Sequence, residues 1–313
     1  MLRQSNMLHN QLARKTAILG SSGLVAPYVF SKLATTKQTA DVISRQNPDL
    51  PHGFAHIPTD DLQQRHVNLS QYDTIIGLWP IWLTADIVST LGSRQHLIAL
   101  SSTSIHGKAT SRVPAERELA KRLANAELKI DISARQSGFR YTILRPTIIY
   151  DGQHDNSVCQ IAAVIRRLGF FPVAGRAVGL RQPIHVCDVA DAILRSMATP
   201  TKANQLFDLT GGETLTYRSM VERIAVSMGR KSRVIGVPSF GLRWLIALMQ
   251  TVRFTRQSPG LVDRMNEDLA YDGSEACRQL SIQPRPFFPT LLPLHSIRTA
   301  EIDPIHAPQH GRP

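Results

Sequence analysis

The stretch Thr16-Ala17-Ile18-Leu19-Gly20-Ser21-Ser22-Gly23-Leu24-Val25-Ala26-Pro27 decides the fold. Its first four residues form a short apolar run that predicts a strand. Gly20 to Gly23 read as a tight turn, and residues 24–33 carry helical periodicity. Pro27 falls near the first turn of that helix, where a missing N–H costs least. Two glycines let backbone amides approach a pyrophosphate, which rests on the positive end of the helix. Ala26, in place of a third glycine, lets helix pack on strand. Gly20, Ser21, Ser22, Gly23 and Leu24 are therefore candidate cofactor-binding residues.

Working outward, the same rhythm repeats. Apolar runs predict strands at 40–44, 74–78, 97–101 and 141–144, with helices near 82–90 and at 115–137. In the second helix Leu119, Leu123, Ala126 and Ile130 recur every three or four residues. The alternation predicts an α/β fold, a Rossmann-like doubly wound parallel sheet over residues 15–168. Beyond Arg145 the rhythm loosens into glycine-bearing loops, then a strand at 183–186 and a helix at 189–198 that Asp188 is placed to cap. A smaller, interleaved C-terminal substrate lobe is expected over 169–290, with the 183–198 strand and helix packing back on the core. Residues 291–313, rich in Pro and His without periodicity, read as a tail.

Composition narrows the function. With 42% hydrophobic and 19% charged residues the chain belongs with folded proteins and not with disordered or fibrous ones. Its apolar stretches, such as 244–249, fall short of the roughly 20 residues that span a bilayer. Cys159, Cys187 and Cys277 have no CxxC spacing, which argues against a disulfide framework or zinc knuckle and for a reduced, cytoplasmic chain. His295, His306 and His310 lie too far apart for a metal site, and none is expected. A formal charge of +12 favours anionic partners. No aromatic-interleaved basic cluster or zinc-finger spacing appears, so nucleic acid is set aside in favour of a phosphorylated small molecule. The first 14 residues, polar, basic and free of acid, suit a flexible terminal segment better than a presequence. Residues 240–253, apolar with Arg243 and Arg253 near the ends, read as a helix on the C-terminal lobe; peripheral membrane contact stays open, as does a homodimer.

Two further places carry chemistry. NAD-type sites hold a carboxylate about 20 residues after the glycine turn, against the ribose 2′-hydroxyl. Here the second strand ends in Ser44-Arg45, and a guanidinium suits a 2′-phosphate, so NADP(H) is expected in preference to NAD(H). The segment Ser101-Ser102-Thr103-Ser104-Ile105-His106-Gly107 lies at the C-terminal end of a strand, where open α/β sheets bind ligands.

That segment resembles the Ser-Ser-x-x-Val-Tyr-Gly stretch of the extended short-chain dehydrogenase/reductase superfamily, the NAD(P)-dependent epimerase/dehydratase group acting largely on nucleotide sugars. Residues 144–152, Leu-Arg-Pro-Thr-Ile-Ile-Tyr-Asp-Gly, are similar to its Leu-Arg-Pro-x-x-Val-Tyr-Gly strand and loop. Residues 181–190, Arg-Gln-Pro-Ile-His-Val-Cys-Asp-Val-Ala, are similar to its Arg-x-x-Ile-His-Val-x-Asp-Val-Ala segment, the most specific of these. With 204–230 and the Pro284-Arg285-Pro286-Phe287 ending, the resemblance covers about residues 15–290. It implies that Ser102 orients the substrate carbonyl or alcohol, that Ser101 adjoins the cofactor, and that Arg181 and Tyr150 serve the substrate, Arg181 at its diphosphate. It assigns His185 and Asp188 structural roles.

The chain departs from this pattern at the proton-transfer pair, where members that move hydride use Tyr-x-x-x-Lys. No Tyr occurs between Tyr72 and Tyr141. Aligning Glu127 with the family's downstream Glu puts Leu119 and Leu123 at the pair; aligning Lys121 with the Lys puts Arg117 at the Tyr. Lys121 is kept as a candidate, as is His106, which fills the family's non-catalytic Tyr slot. The resemblance implies an epimerase/dehydratase-like oxidoreductase acting on a nucleoside-diphosphate sugar. The rival is a catalytically inactive NADP(H)-binding protein serving as a redox sensor or subunit of a larger assembly.

Overall fold

Four apolar residues make β1 (Thr16–Leu19), buried along its whole length in the computed structural model. The structure describes residues 15–59, 68–199, 204–229, 233–242 and 260–291. The expectations for residues 1–14, for the part of the 240–253 helix beyond Leu242 and for the tail beyond 291 lie outside the described residues. In α1 (Ala26–Thr35) the residues Ala26, Val29, Phe30 and Leu33 form one buried stripe. The chain continues through β2 (Ala40–Ser44), β3 (Phe54–Pro58), β4 (Thr74–Gly77), α2 (Ile81–Ile87), β5 (His96–Leu100), α3 (Ser104–Gly107), α4 (Pro114–Ser137) and β6 (Arg140–Pro146). Next come β7 (Ile149–Tyr150), α5 (Val158–Leu168), β8 (Phe170–Ala174), β9 (Leu180–Arg181), β10 (Ile184–His185), α6 (Val186–Ala198) and β11 (Gln205–Leu209). Last are β12 (Leu215–Thr216), α7 (Tyr217–Ser227), β13 (Arg233–Val237), α8 (Gly260–Arg264) and α9 (Ser274–Leu280).

A seven-stranded sheet runs in the order β11-β6-β5-β4-β1-β2-β3, and every neighbouring pair is parallel. This is the doubly wound sheet the sequence predicts. Strand order reverses between β1 and β4, the switch point where such sheets hold ligands. Strand β3 was not expected; it is a half-exposed edge with no continuous apolar run to mark it.

Period-two alternation divides the strand side chains between two cores. Ile18, Val42, Ile76, Ile98 and Leu144 pack with Val29 and Phe30 of α1 and Val189 and Ile193 of α6. Ala17, Ile75, Leu97 and Ile143 pack on the other face with Ile81 of α2 and Leu123 and Ile130 of α4. A third core lies in the C-terminal part, where Val173 of β8 and Val221 and Ile224 of α7 meet Val262 and Met265. It also takes in Tyr150, Val158 and Ile165, all upstream of residue 169. The expected cap of α6 is corrected. The helix starts at Val186, so its N-cap is His185, whose Nδ1 accepts the Cys187 N–H at 3.1 Å. Asp188 lies inside the first turn and binds Arg285 instead, at 2.9 Å from its N–H and 2.9 Å from Nε.

Candidate functional site

The glycine turn is built tightly between β1 and the β4 end. Gly20 adopts φ +96° and donates its N–H to the Ile43 carbonyl at 2.9 Å. A Cβ there would be strained and would come within 3.2 Å of the Trp79 backbone nitrogen, so glycine is required. Ser22 and Gly23 are exposed, while Leu24 packs against the core. Val25 caps α1 without a side-chain hydrogen bond, and no acid occupies the first turn. At that helix end the Ala26 N–H is taken by the Gly23 carbonyl at 3.1 Å and Pro27 has none, so the amides of the Ser22–Leu24 turn, with no acceptor among the described residues, and the helix's positive potential are what is left for an anion. Beyond β2, Ser44 is buried and donates its hydroxyl to the Gln46 carbonyl at 2.7 Å, shaping the turn. Arg45 is exposed and makes no ion pair among the described residues.

Parallel register lines up the ends of β5, β6 and β11, with Leu100 opposite Leu144 and Arg145 opposite Asp208. Ser101 donates its hydroxyl to Glu127 Oε1 at 2.5 Å, so it is turned toward α4. Ser102 Oγ accepts the Ser104 N–H at 3.1 Å, and its own hydroxyl hydrogen has no partner among the described residues. Glu127 is buried and ion-paired with Arg145. Burial works against the charged guanidinium of Arg145, yet the hydrogen-bonded Glu127 carboxylate holds it above its ordinary pKa. Arg145 Nη1 also lies 3.8 Å from Asp208 Oδ1. Across Asp208, Oδ2 is 3.4 Å from His106 Nε2, and the His106 ring leans on Tyr271 at 5.4 Å between centroids.

Other expected residues are not brought to this place. Lys121 is exposed on the outer side of α4. Leu119 and Leu123 pack into the core, and Arg117 donates to the Ser111 carbonyl at 2.7 Å, so neither alignment of the missing pair offers an acid. Arg181 was expected to reach a substrate diphosphate; it is 2% exposed, and its guanidinium is taken up by the carbonyls of Leu180, Glu267 and Arg264. Burial lowers its pKa to about 10. Tyr150 is 1% exposed, wedged edge-on between His185 and Phe287. Both belong to the packing of the C-terminal lobe.

A cavity of about 300 Å³ adjoins Gly107, bounded by Ser111, Arg112, Ser239, Asp263 and Arg264. Arg264 pairs with the buried Glu116, and nearby Lys108 has its pKa lowered by burial and by Arg264. Asp151, Asp155 and Cys159 also gather closely. Asp155 is spent on backbone amides, those of Ser157 and Val158 through Oδ1 and Gly152 through Oδ2, which start α5. Sequence reading missed Asp208, Arg264 and Tyr271, which no local motif marks and which only strand register and lobe packing bring near His106 and Gly107.

No family model matches the chain. The UDP-glucose 4-epimerase of Vibrio cholerae is 22% identical over 161 residues, 51% of this chain and 47% of that protein. The chain thus spans about half the length of the curated relative it matches. Among solved structures, the epimerase Mth375 of Methanothermobacter thermautotrophicus superposes with a TM-score of 0.66 at 12% identity, covering 91% of this chain and 92% of that one. The UDP-N-acetylglucosamine 4-epimerase of Bacillus cereus gives 0.62 at 15% identity, covering 89% and 96%. MoeE5, in complex with UDP-glucuronic acid and NAD, gives 0.65 at 13% identity, covering 87% and 94%. The chain has the Rossmann-like α/β fold of these epimerase structures, sheet and C-terminal lobe together. Among the described residues no helix is long and apolar enough to cross a membrane.

Proposed function

We propose that the chain is a pyridine-nucleotide-dependent oxidoreductase of the epimerase/dehydratase type, acting on a nucleoside-diphosphate sugar or a related phosphorylated substrate. The observation that carries this is the Gly20 turn against an uncapped α1 N-terminus, in a fold shared with UDP-sugar epimerases. The amides of the turn before that helix fit a cofactor pyrophosphate, and Arg45 fits a 2′-phosphate, which favours NADP(H) over NAD(H). The bound nicotinamide would supply a hydride acceptor and donor. Ser102, with its hydroxyl hydrogen free, donates to the substrate oxygen and holds it at the strand end. His106 exchanges the proton, and Lys121, pointing to solvent, is left out. With Arg181 buried, the cavity beside Gly107 is the better place for the substrate's anionic end, Arg112 supplying the positive charge, since Arg264 is paired with Glu116. We assign the protein to a reducing, cytoplasmic setting, as free molecules or a homodimer.

One observation favours a second reading. Where the usual phenol belongs, α4 offers either Leu119, packed against the core, or Arg117, which donates to the Ser111 carbonyl. A protein that binds NADP(H) without turnover, as a sensor or a subunit of a larger assembly, would look like this. Calorimetric titration with NADP(H) and NAD(H), followed by NADPH oxidation and hydride exchange across a panel of nucleotide sugars, separates the two. The catalytic reading expects turnover above the cofactor-only blank. Stoichiometric NADP(H) binding with no turnover selects the second reading, and absence of cofactor binding rejects both.

A further inference from the structure

The end of the sheet carries a chain of charged groups that the missing phenol leaves without a task. Glu127, Arg145 and Asp208 come from α4, β6 and β11, and they lead from the buried side of Ser101 to the half-exposed ring of His106. Asp208 is the last link. Its Oδ1 accepts no hydrogen bond among the described residues, having only the Arg145 guanidinium at 3.8 Å, while Oδ2 faces His106 Nε2 at 3.4 Å. Arg145 is itself fixed by Glu127 at Nε, 2.9 Å from Oε1, so it cannot swing over to neutralise Asp208 fully. From the C-terminal lobe, Tyr271 closes the far side of the imidazole with its ring tilted 40°. Its backbone is anchored by Gln182, whose Oε1 accepts the Tyr271 N–H at 2.8 Å.

We infer that Asp208 and Tyr271 position His106, fixing its ring and its tautomer, so that His106 exchanges the substrate's hydroxyl proton in place of the phenol that α4 lacks. A carboxylate facing Nε2 stabilises the tautomer with the proton on that nitrogen, leaving Nδ1 as the basic atom. In the oxidative direction Nδ1 takes up the substrate's O–H proton, and a bound nicotinamide would supply the acceptor for the C–H hydride. The C–O bond becomes C=O, and the imidazolium is held by Asp208. In the return direction Nδ1 gives its proton back to the oxygen, and the same bound group would supply the hydride to carbon, so protons and electrons balance over the cycle. This assignment rests on the catalytic reading above, with His106 as the catalytic residue and Asp208 and Tyr271 as positioning residues.

The test uses the full chain labelled with ¹⁵N-histidine, in which nitrogen shifts report which imidazole nitrogen bears the proton; the His106→Gln variant identifies the signal. The wild type is expected to hold His106 with the proton on Nε2, and Asp208→Asn to mix or reverse the two tautomers. Turnover should fall about 10²-fold in Asp208→Asn and in His106→Gln, within the range ascribed to proton-transfer assistance, with KM nearly unchanged. Asp208→Glu should restore part of the rate and the wild-type tautomer, which a merely structural role would not do. An unaltered tautomer in Asp208→Asn, or unaltered turnover in it, overturns the inference while the catalytic reading stands. If Asp208→Asn fails to fold, full turnover in His106→Gln, altered at a half-exposed side chain, overturns it equally. NADP(H) binding with no turnover in the wild type overturns the catalytic reading and this role with it.

Discussion

Glu127 and Arg145 face each other beneath the Ser101 strand end, with Arg145 Nε 2.9 Å from Glu127 Oε1 and 3.2 Å from Oε2. The pair ties α4 to β6, and Ser101 adds a further hydrogen bond to the same carboxylate at 2.5 Å. Buried charges are tolerated only when paired and hydrogen-bonded in this way. The site's floor is therefore set by an ion pair inside the protein, while Ser102 and His106 stand above it on the solvent side.

Removing the carboxylate should be costly. Glu127→Ala leaves the Arg145 guanidinium buried and short of a partner, for which a loss of about 3–5 kcal/mol is expected. Glu127→Gln, which keeps the volume and one acceptor, should lose less. Chemical denaturation of both variants measures this, and a Glu127→Ala midpoint equal to that of the wild type would show that the pair contributes nothing to the fold.

Arg45 should set cofactor preference. Its side chain is exposed and free of ion pairs among the described residues, and no carboxylate replaces it at the end of β2. A bidentate guanidinium–phosphate contact contributes about 1.5–3 kcal/mol, roughly tenfold or more in affinity. Arg45→Ala should weaken NADP(H) by that factor and leave NAD(H) unchanged, read by titration. Equal affinities for the two cofactors in the wild type would remove the basis for this assignment.

Local patterns carried most of the sheet and little of the site. The β1 turn, the α4 stripe at Leu123, Ala126 and Ile130, and the β2 and β6 runs are local features, so their period alone revealed them. Arg181 shows where that stops. Its place before the Pro183-Ile184-His185 segment suggested a phosphate ligand, yet its donors go to carbonyls at 264 and 267, more than 80 positions downstream. Asp208 is equally illegible, since an acid in the middle of an apolar strand says nothing until register sets it beside Arg145 and opposite His106.

Alkaline pH should destabilise the fold in part through Tyr72 and Tyr141. Tyr72 donates to Asp41 at 2.6 Å and Tyr141 to Asp131 at 2.8 Å. Burial and then the neighbouring carboxylate push both phenols above the ordinary value of 10.0. The unfolded phenols thus lose their protons first, so the unfolded state binds fewer protons and stability falls as pH rises. The contribution is complete below about pH 10, the unfolded value, and is lost as pH climbs toward the folded ones. Denaturant midpoints measured from pH 8 upward, within roughly three units, should drop less steeply in the Tyr72→Phe, Tyr141→Phe double variant. Parallel slopes for it and the wild type would reject this source of alkaline sensitivity.

Ser102 bears on whether the chemistry sits at the β5 end at all. Its Oγ accepts the Ser104 N–H, which orients the hydroxyl, and the hydrogen is left to donate to a substrate oxygen. Losing one such preorganised donor costs about 10²–10³-fold in kcat. Ser102→Ala should show that loss with cofactor affinity intact, because the pyrophosphate is held at the separate Gly20–Gly23 turn. Loss of cofactor binding in step with turnover would mean that Ser102 supports the cleft as a whole. Full turnover in a Ser102→Ala, His106→Ala double variant would move the reacting atoms away from the β5 end altogether, since neither the orienting hydroxyl nor the imidazole would then be needed.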